Sequence, residues 1–233
     1  MIEIGPGKGA LTGPLIDRAR KVIAIEIDPY LVHYLRQKFS GVIEQGRLLL
    51  IEGDVLKTDL AVWGPAVIAG NLPYYITSPI LEKIFSLGRN WTRAVFLVQA
   101  EVAARLASPP GSRDFGFLSV ETQLNARVEN LFPVSRGAFR PPPKVDSCVV
   151  LLEPRDAAAE LGIADRATFL RFASAAFRHK RKTLRNNLAP FYGKEQLDPI
   201  ADTRRRAEQM SLAELAALYR HLEESAVRSP GSE

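Results

Sequence analysis

An α/β fold, with a doubly wound sheet followed by a small all-helical C-terminal domain, is predicted by three features of the sequence. Short apolar runs alternate with helical patterns as far as Gln99. A glycine-rich turn, Gly5-Pro6-Gly7-Lys8-Gly9-Ala10, joins the first strand to the first helix. Beyond Glu153-Pro154 the apolar residues recur only at helical spacing. Strands and helices alternating in this way form β-α-β units, and such units build a parallel sheet.

The elements follow in order. Ile2–Ile4 is the first strand, residues 9–19 a helix and residues 22–27 the second strand. Asp28-Pro29 supplies an N-cap and a first-turn proline for a helix through Phe39. Strands follow at 48–51 and 66–69, the latter running into Gly70-Asn71-Leu72-Pro73, then a helix at 78–87 and a strand at 94–98. The Pro/Gly/Ser run 108–112 reads as a loop before a helix near 118–125. Two further strands, 127–131 and 145–152, flank the proline-rich segment 139–144. In the C-terminal part, Phe169, Phe172, Ala173, Ala176 and Phe177 mark one apolar helix face, and Leu215, Leu218, Tyr219 and Leu222 another. The expected division is a ligand-binding domain at 1–154 and a helical domain at 155–233, with disorder confined to the tail 229–233.

Bulk composition narrows the function classes. A chain of 233 residues accommodates one substantial core and a small second unit. No apolar run approaches the roughly 20 residues of a membrane helix, and Met1 leads into Ile-Glu-Ile-Gly with no signal-peptide pattern. Cys148 is the only cysteine, which excludes an internal disulfide and a multi-cysteine zinc site. His33, His179 and His221 are too scattered to suggest a metal cluster, so no metal is expected. A cytoplasmic protein fits this pattern.

The formal net charge is +5, and its distribution is uneven. Arg178-His179-Lys180-Arg181-Lys182-Thr183-Leu184-Arg185 is a dense cationic run, with Arg204-Arg205-Arg206 beyond it. Clustering of this kind is the footprint of a phosphate-backbone binder. A solvated helix face has the same composition.

Three features place a ligand at the carboxyl ends of the strands, where open α/β sheets bind. Gly5 and Gly7 let the backbone turn sharply and let a ligand approach it. Glu26, ending the second strand, can accept hydrogen bonds from both ribose hydroxyls of an adenosine cofactor. Asp54, just past the third strand, can accept one from the adenine amino group, or can simply cap the next turn. Gly5-x-Gly7-x-x-Ala10 also satisfies the loose dinucleotide pattern, so these residues serve NAD as well as S-adenosylmethionine.

Asn71-Leu72-Pro73-Tyr74-Tyr75 is the more selective signal. An exocyclic adenine amine is a poor nucleophile because its lone pair is delocalised into the ring. The Asn71 side-chain oxygen and a backbone carbonyl presented by the Pro73 turn can accept its two hydrogens, favouring a tetrahedral nitrogen. Tyr74 can stack on an extruded base. A dehydrogenase has no evident use for this combination.

These segments resemble the KsgA-type ribosomal RNA adenine dimethyltransferase family. The resemblance is carried by Glu3-Ile4-Gly5-Pro6-Gly7, residues 71–79, Gly116-Phe117-Leu118-Ser119-Val120-x-x-Gln123, Phe139-Arg140-Pro141-Pro142-Pro143-Lys144-Val145-Asp146-Ser147 and Lys180-Arg181-Lys182-Thr183-Leu184-Arg185-Asn186-Asn187-Leu188. It implies a Rossmann-like methyltransferase domain with a helical RNA-binding domain. It implies transfer of methyl groups from S-adenosylmethionine to N6 of two adjacent adenosines in small-subunit ribosomal RNA. The expected partner is the pre-30S particle, and the expected state is a monomer. By position, Gly5, Gly7, Glu26, Asp54 and Asn71 bind the cofactor, and Asn71, Leu72, Pro73 and Tyr74 form the catalytic turn. Tyr74 and Phe139 contact the target base, while Arg178, Lys180, Arg181, Lys182 and Arg185 hold RNA. Family members carry several tens of residues before the glycine turn, so the resemblance also implies a shortened N-terminus and a cofactor pocket open on one side. The competing readings are an NAD-dependent dehydrogenase, a non-catalytic ribosome-assembly factor, and a large-subunit methyltransferase of the antibiotic-resistance type.

Overall fold

A computed structural model of the chain describes residues 1–228; the expected tail disorder at 229–233 lies outside the described residues. The strands are β1 (Ile2–Ile4), β2 (Val22–Glu26), β3 (Leu48–Glu52), β4 (Ala66–Asn71), β5 (Trp91–Gln99), β6 (Ala126–Val134) and β7 (Ser147–Pro154). The helices are α1 (Thr12–Arg18), α2 (Pro29–Lys38), α3 (Ser40–Glu44), α4 (Thr77–Ser86), α5 (Ala100–Leu106), α6 (Phe117–Asn125), α7 (Ala157–Glu160), α8 (Arg166–Ala176), α9 (Leu184–Tyr192), α10 (Lys194–Leu197) and α11 (Leu212–Arg228).

The strands form one sheet in the order β3-β2-β1-β4-β5-β7-β6. The pairs β1–β2, β1–β4, β2–β3 and β4–β5 are parallel. The sheet is not parallel throughout, since β7 runs antiparallel to β5. Strand order reverses at β1, which lies between β2 and β4, and this switch is where open α/β sheets leave a crevice at their carboxyl ends. Ile4 pairs with Gly70, so the next residues, Gly5 and Asn71, emerge side by side at that crevice. Gly70 is required there: a β-carbon would lie 2.5 Å from the Ile4 carbonyl oxygen.

β1 and β2 are buried along their whole lengths, which accounts for their nearly continuous apolar sequences. On one side Ile16 of α1 packs with Val22, Ala24 and Leu48. α2 begins as expected, with Asp28 accepting from the Tyr30 amide and Pro29 in the first turn. α1 starts at Thr12 rather than Gly9, because Gly9 has φ +77° and belongs to the preceding turn. β4 runs past Ala69 because Gly70 and Asn71 still pair with Phe96 and Leu97 of β5.

Two compact units are present. One contains Met1–Ala103 and Arg127–Pro154, the other Ala104–Ala126 and the chain from Arg155 onward. The segment Ala104–Ala126 therefore crosses the expected cut at residue 154. Its Phe115, Val120 and Leu124 share a core with Phe169, Phe172, Leu188, Leu215 and Leu222, and burial of those apolar side chains holds it among the C-terminal helices. Phe169 meets Tyr219 edge to face at 5.4 Å in the same core.

Candidate functional site

The turn after β1 is built by backbone conformation. Gly5, Gly7 and Gly9 have φ of 65°, 58° and 77°, a region in which side chains are strained. β-Carbons at Gly5 and Gly7 would meet nothing within 4 Å, so these residues border open space. Glu26 at the end of β2 secures the turn. One carboxylate oxygen accepts from the Gly7 amide at 3.0 Å, and the other from the Ile27 and Asp28 amides at 3.0 and 3.1 Å. Three of a carboxylate's roughly four acceptor sites are thus used by backbone, leaving about one for a ligand hydroxyl.

Within this unit a cavity of about 850 Å³ opens beside the turn, a volume suited to a nucleoside-sized ligand. Glu3, Gly5, Gly7, Asn71 and Phe139 line it, as do Val67, Val95, Leu97, Phe132 and Val149. Gly5, Gly7, Asn71 and Phe139, scattered in sequence, are therefore brought together. Glu26, Asp54, Leu72, Pro73 and Tyr74 are not among the lining residues. Asp54 accepts from the Leu56 amide at 2.9 Å and so caps its own turn, while Leu72 is buried beneath the site.

Glu3 was not singled out by sequence reasoning, although a carboxylate between two isoleucines in a short strand was an available signal. It is 1% exposed, and its Oε2 has no hydrogen-bond partner. Burial pushes its carboxyl from the ordinary 4.5 up to about 7, opposed by the nearby Thr12 hydroxyl and reinforced by the charge of Glu26. An orphaned acceptor on the cavity wall, next to a glycine cradle, fits a cofactor that brings hydrogen-bond donors and positive charge. S-adenosylmethionine has both.

The turn after β4 presents polar groups in a fixed order. Asn71 ends the strand with its side chain exposed. The Leu72 amide donates to the Leu97 carbonyl at 3.1 Å. The Pro73 carbonyl accepts from the Ile76 amide at 3.1 Å and the Thr77 hydroxyl at 3.2 Å. The Leu72 carbonyl has no such partner among the described residues. The half-buried Tyr74 places its hydroxyl 2.8 Å from that of Ser147.

The cationic run lies in the other unit. Most of it is not helical: residues 178–182 form the exposed turn between α8 and α9, and Leu184 and Arg185 begin α9. Asn187, 3% exposed, holds this turn from inside by donating to the Ala176 and His179 carbonyls at 2.7 and 3.2 Å. Arg178, Arg181 and Lys182 form no ion pair among the described residues. Lys180 donates to the Arg113 carbonyl, and Arg185 pairs with Asp198. The second basic cluster is partly neutralised, Arg205 by Glu214 and Asp202 and Arg206 by Glu208. Among the described residues no helix is long and apolar enough to cross a membrane.

Residues 1–224 match the family model described as ribosomal RNA adenine dimethylase. A protein of Acidobacterium capsulatum named ribosomal RNA small subunit methyltransferase A is 44% identical, the match covering 96% of this chain and 81% of that protein. Its namesake in Chlorobium chlorochromatii is 40% identical over 94% and 81%. Among solved structures, a dimethyladenosine transferase from Plasmodium falciparum superposes with a TM-score of 0.80 at 25% identity, covering 97% of this chain and 90% of the other. The 23S rRNA methyltransferase ErmE gives 0.68 at 26% identity, over 95% and 90%.

Proposed function

The chain belongs to the ribosomal RNA adenine dimethylase family, and from that premise we propose that it dimethylates N6 of two adjacent adenosines in small-subunit ribosomal RNA. It does so as a cytoplasmic monomer acting on an immature small subunit. The observation that carries the reading is the pairing of Ile4 with Gly70, which sets the glycine turn and Asn71 on one cavity. The names of the relatives support the small subunit as the source of the RNA.

Gly5, Gly7, Glu3 and Glu26 hold the cofactor, with Asp54 contributing at the adenine end. When bound, S-adenosylmethionine supplies an activated methyl group and its leaving group. The Asn71 side-chain oxygen and the Leu72 carbonyl accept the two N6 hydrogens of the target adenine. That withdraws the nitrogen lone pair from the ring and aims it at the methyl group. Pro73 helps by contributing no competing N–H. Tyr74 stacks on the extruded base and Phe139 packs against it. The nitrogen becomes cationic on methylation and is then acidic enough to release its proton to water without a protein base. Arg178, Lys180, Arg181, Lys182 and Arg185 attract RNA phosphates, most strongly Arg178, Arg181 and Lys182, which have no ion pair among the described residues.

The test is methyl transfer from labelled S-adenosylmethionine to small-subunit particles lacking the modification, with large-subunit particles in parallel and nucleosides analysed. N6,N6-dimethyladenosine in small-subunit RNA alone is expected, and Asn71→Ala should slow its formation at least about tenfold with RNA binding retained. Transfer to large-subunit RNA would move the chain to the ErmE-like reading. RNA binding without transfer would leave an assembly factor.

A further inference from the structure

In the first unit the segment Asp146-Ser147 bonds both to the loop that carries Phe139 and to Tyr74 in the turn after β4. Ser147 opens β7, opposite Gln99 of β5, and is fully buried. The preceding residue closes the loop that carries Phe139. The Asp146 carboxylate accepts from the Arg136 amide at 2.9 Å, and its carbonyl accepts from the Ala100 amide at 3.0 Å. Ser147 itself reaches the other aromatic, its hydroxyl 2.8 Å from that of Tyr74.

Stacking needs no hydroxyl, because the ring face provides the contact. The backbone of the turn is already held by the two hydrogen bonds to the Pro73 carbonyl. What the Ser147 bond adds is the direction of the Tyr74 ring, which otherwise turns about two side-chain torsions. A ring held at its far end fixes the plane in which a stacked adenine lies, and so the line from its N6 to Asn71 and the Leu72 carbonyl.

We infer that Ser147 is a positioning residue, whose hydroxyl orients Tyr74 so that the target amine meets its two acceptors. This rests on the reading that the Asn71 turn receives adenine. The consequence is unequal for the two transfers. An unmodified amine offers two hydrogens to the acceptors, whereas a monomethylated amine offers one. Stacking therefore carries more of the orientation in the second transfer, and a loosened ring harms that step more.

The experiment compares wild type, Ser147→Ala, Tyr74→Phe and the double variant on the same small-subunit particles. Each single variant removes the same bond from opposite ends. Each should lower kcat about three- to tenfold, the range one hydrogen bond controls, with KM for RNA and affinity for S-adenosylmethionine nearly unchanged. N6-monomethyladenosine should accumulate in both. The double variant should be no slower than the slower single, because the bond can be lost only once. A role of Ser147 in β7 folding alone would instead lower thermal stability without raising the monomethyl fraction. Wild-type turnover and product ratio in Ser147→Ala, or losses that multiply in the double variant, overturn the assignment while leaving the methyltransferase reading intact. Absence of transfer by the wild type overturns the methyltransferase reading, and this assignment with it.

Discussion

The strands β1 and β2 beside the glycine turn and the basic turn handle charge in opposite ways. Glu3 and Glu26 are 1% and 6% exposed, and Glu26 is held by three backbone amides. Arg178, Arg181 and Lys182 are exposed and unpaired among the described residues, and only the backbone beneath them is anchored, by Asn187. A buried charge costs several kcal/mol unless its partners are in place: Glu26 has them and is rigid, oriented and little affected by salt, whereas burial makes Glu3 keep its proton up to about 7. An exposed lysine or arginine costs little, moves freely and binds any phosphate, with an affinity that falls as salt rises. The first arrangement suits one ligand in one pose. The second suits a long polyanion whose phosphates all look alike.

The largest effect should come from the buried side. Glu26→Ala removes a charged acceptor from a ligand and strands three amides, so affinity for S-adenosylmethionine should fall on the order of a hundredfold. Titration calorimetry at low and high salt checks it. A loss that disappeared at high salt would put Glu26 in the same class as the surface cations.

Next is the exposed side. Replacing Arg178, Arg181 and Lys182 by glutamine should weaken RNA binding on the order of tenfold at moderate salt. It should also reduce the slope of log affinity against log salt by about 2, given roughly 0.7 for each single-strand phosphate contact. Filter binding across a salt series measures both. An unchanged slope would make the run a solvated turn, and cofactor affinity should not move in either case.

The smallest effect concerns Glu3 and stability without ligand. In the unfolded chain its carboxyl ionises near 4.5, and in the folded chain at about 7. Between those values the unfolded chain has lost a proton that the folded chain keeps, so stability falls as pH rises through this window. The cost is absent below about 4.5 and complete above about 7. Melting curves of wild type and Glu3→Gln should converge at low pH and separate by a few degrees toward neutrality, with the variant the more stable. Parallel curves would show that the folded protein does not hold Glu3 protonated.

Much of the site was legible because it is local. Asp28-Pro29 opens a helix by capping geometry, and Gly5 and Gly7 turn the chain because they lack β-carbons. Asn71-Leu72-Pro73 is a distinctive run within a few residues, and the strand end it marks is where Asn71 meets the cavity. Asp54 was readable in two ways, and its bond to the Leu56 amide shows the capping it performs. The cations were equally visible, but nothing local distinguished Arg185, paired with Asp198, from Arg181, which has no ion-pair partner among the described residues.

By itself the sequence determined the alternation of strands and helices, the glycine turn, the Asn71-Leu72-Pro73 turn and the apolar faces of the C-terminal helices. These follow from steric limits and periodicity acting over a few residues. Tertiary structure alone decided that β7 enters the sheet antiparallel to β5, and that Phe115, Val120 and Leu124 join the helical core. It also decided that Glu3 is buried and that Tyr74 finds Ser147, 73 residues away. Each of those outcomes depends on which distant segments pack together, since solvent exclusion and strand pairing act between neighbours in space, whatever their separation along the chain.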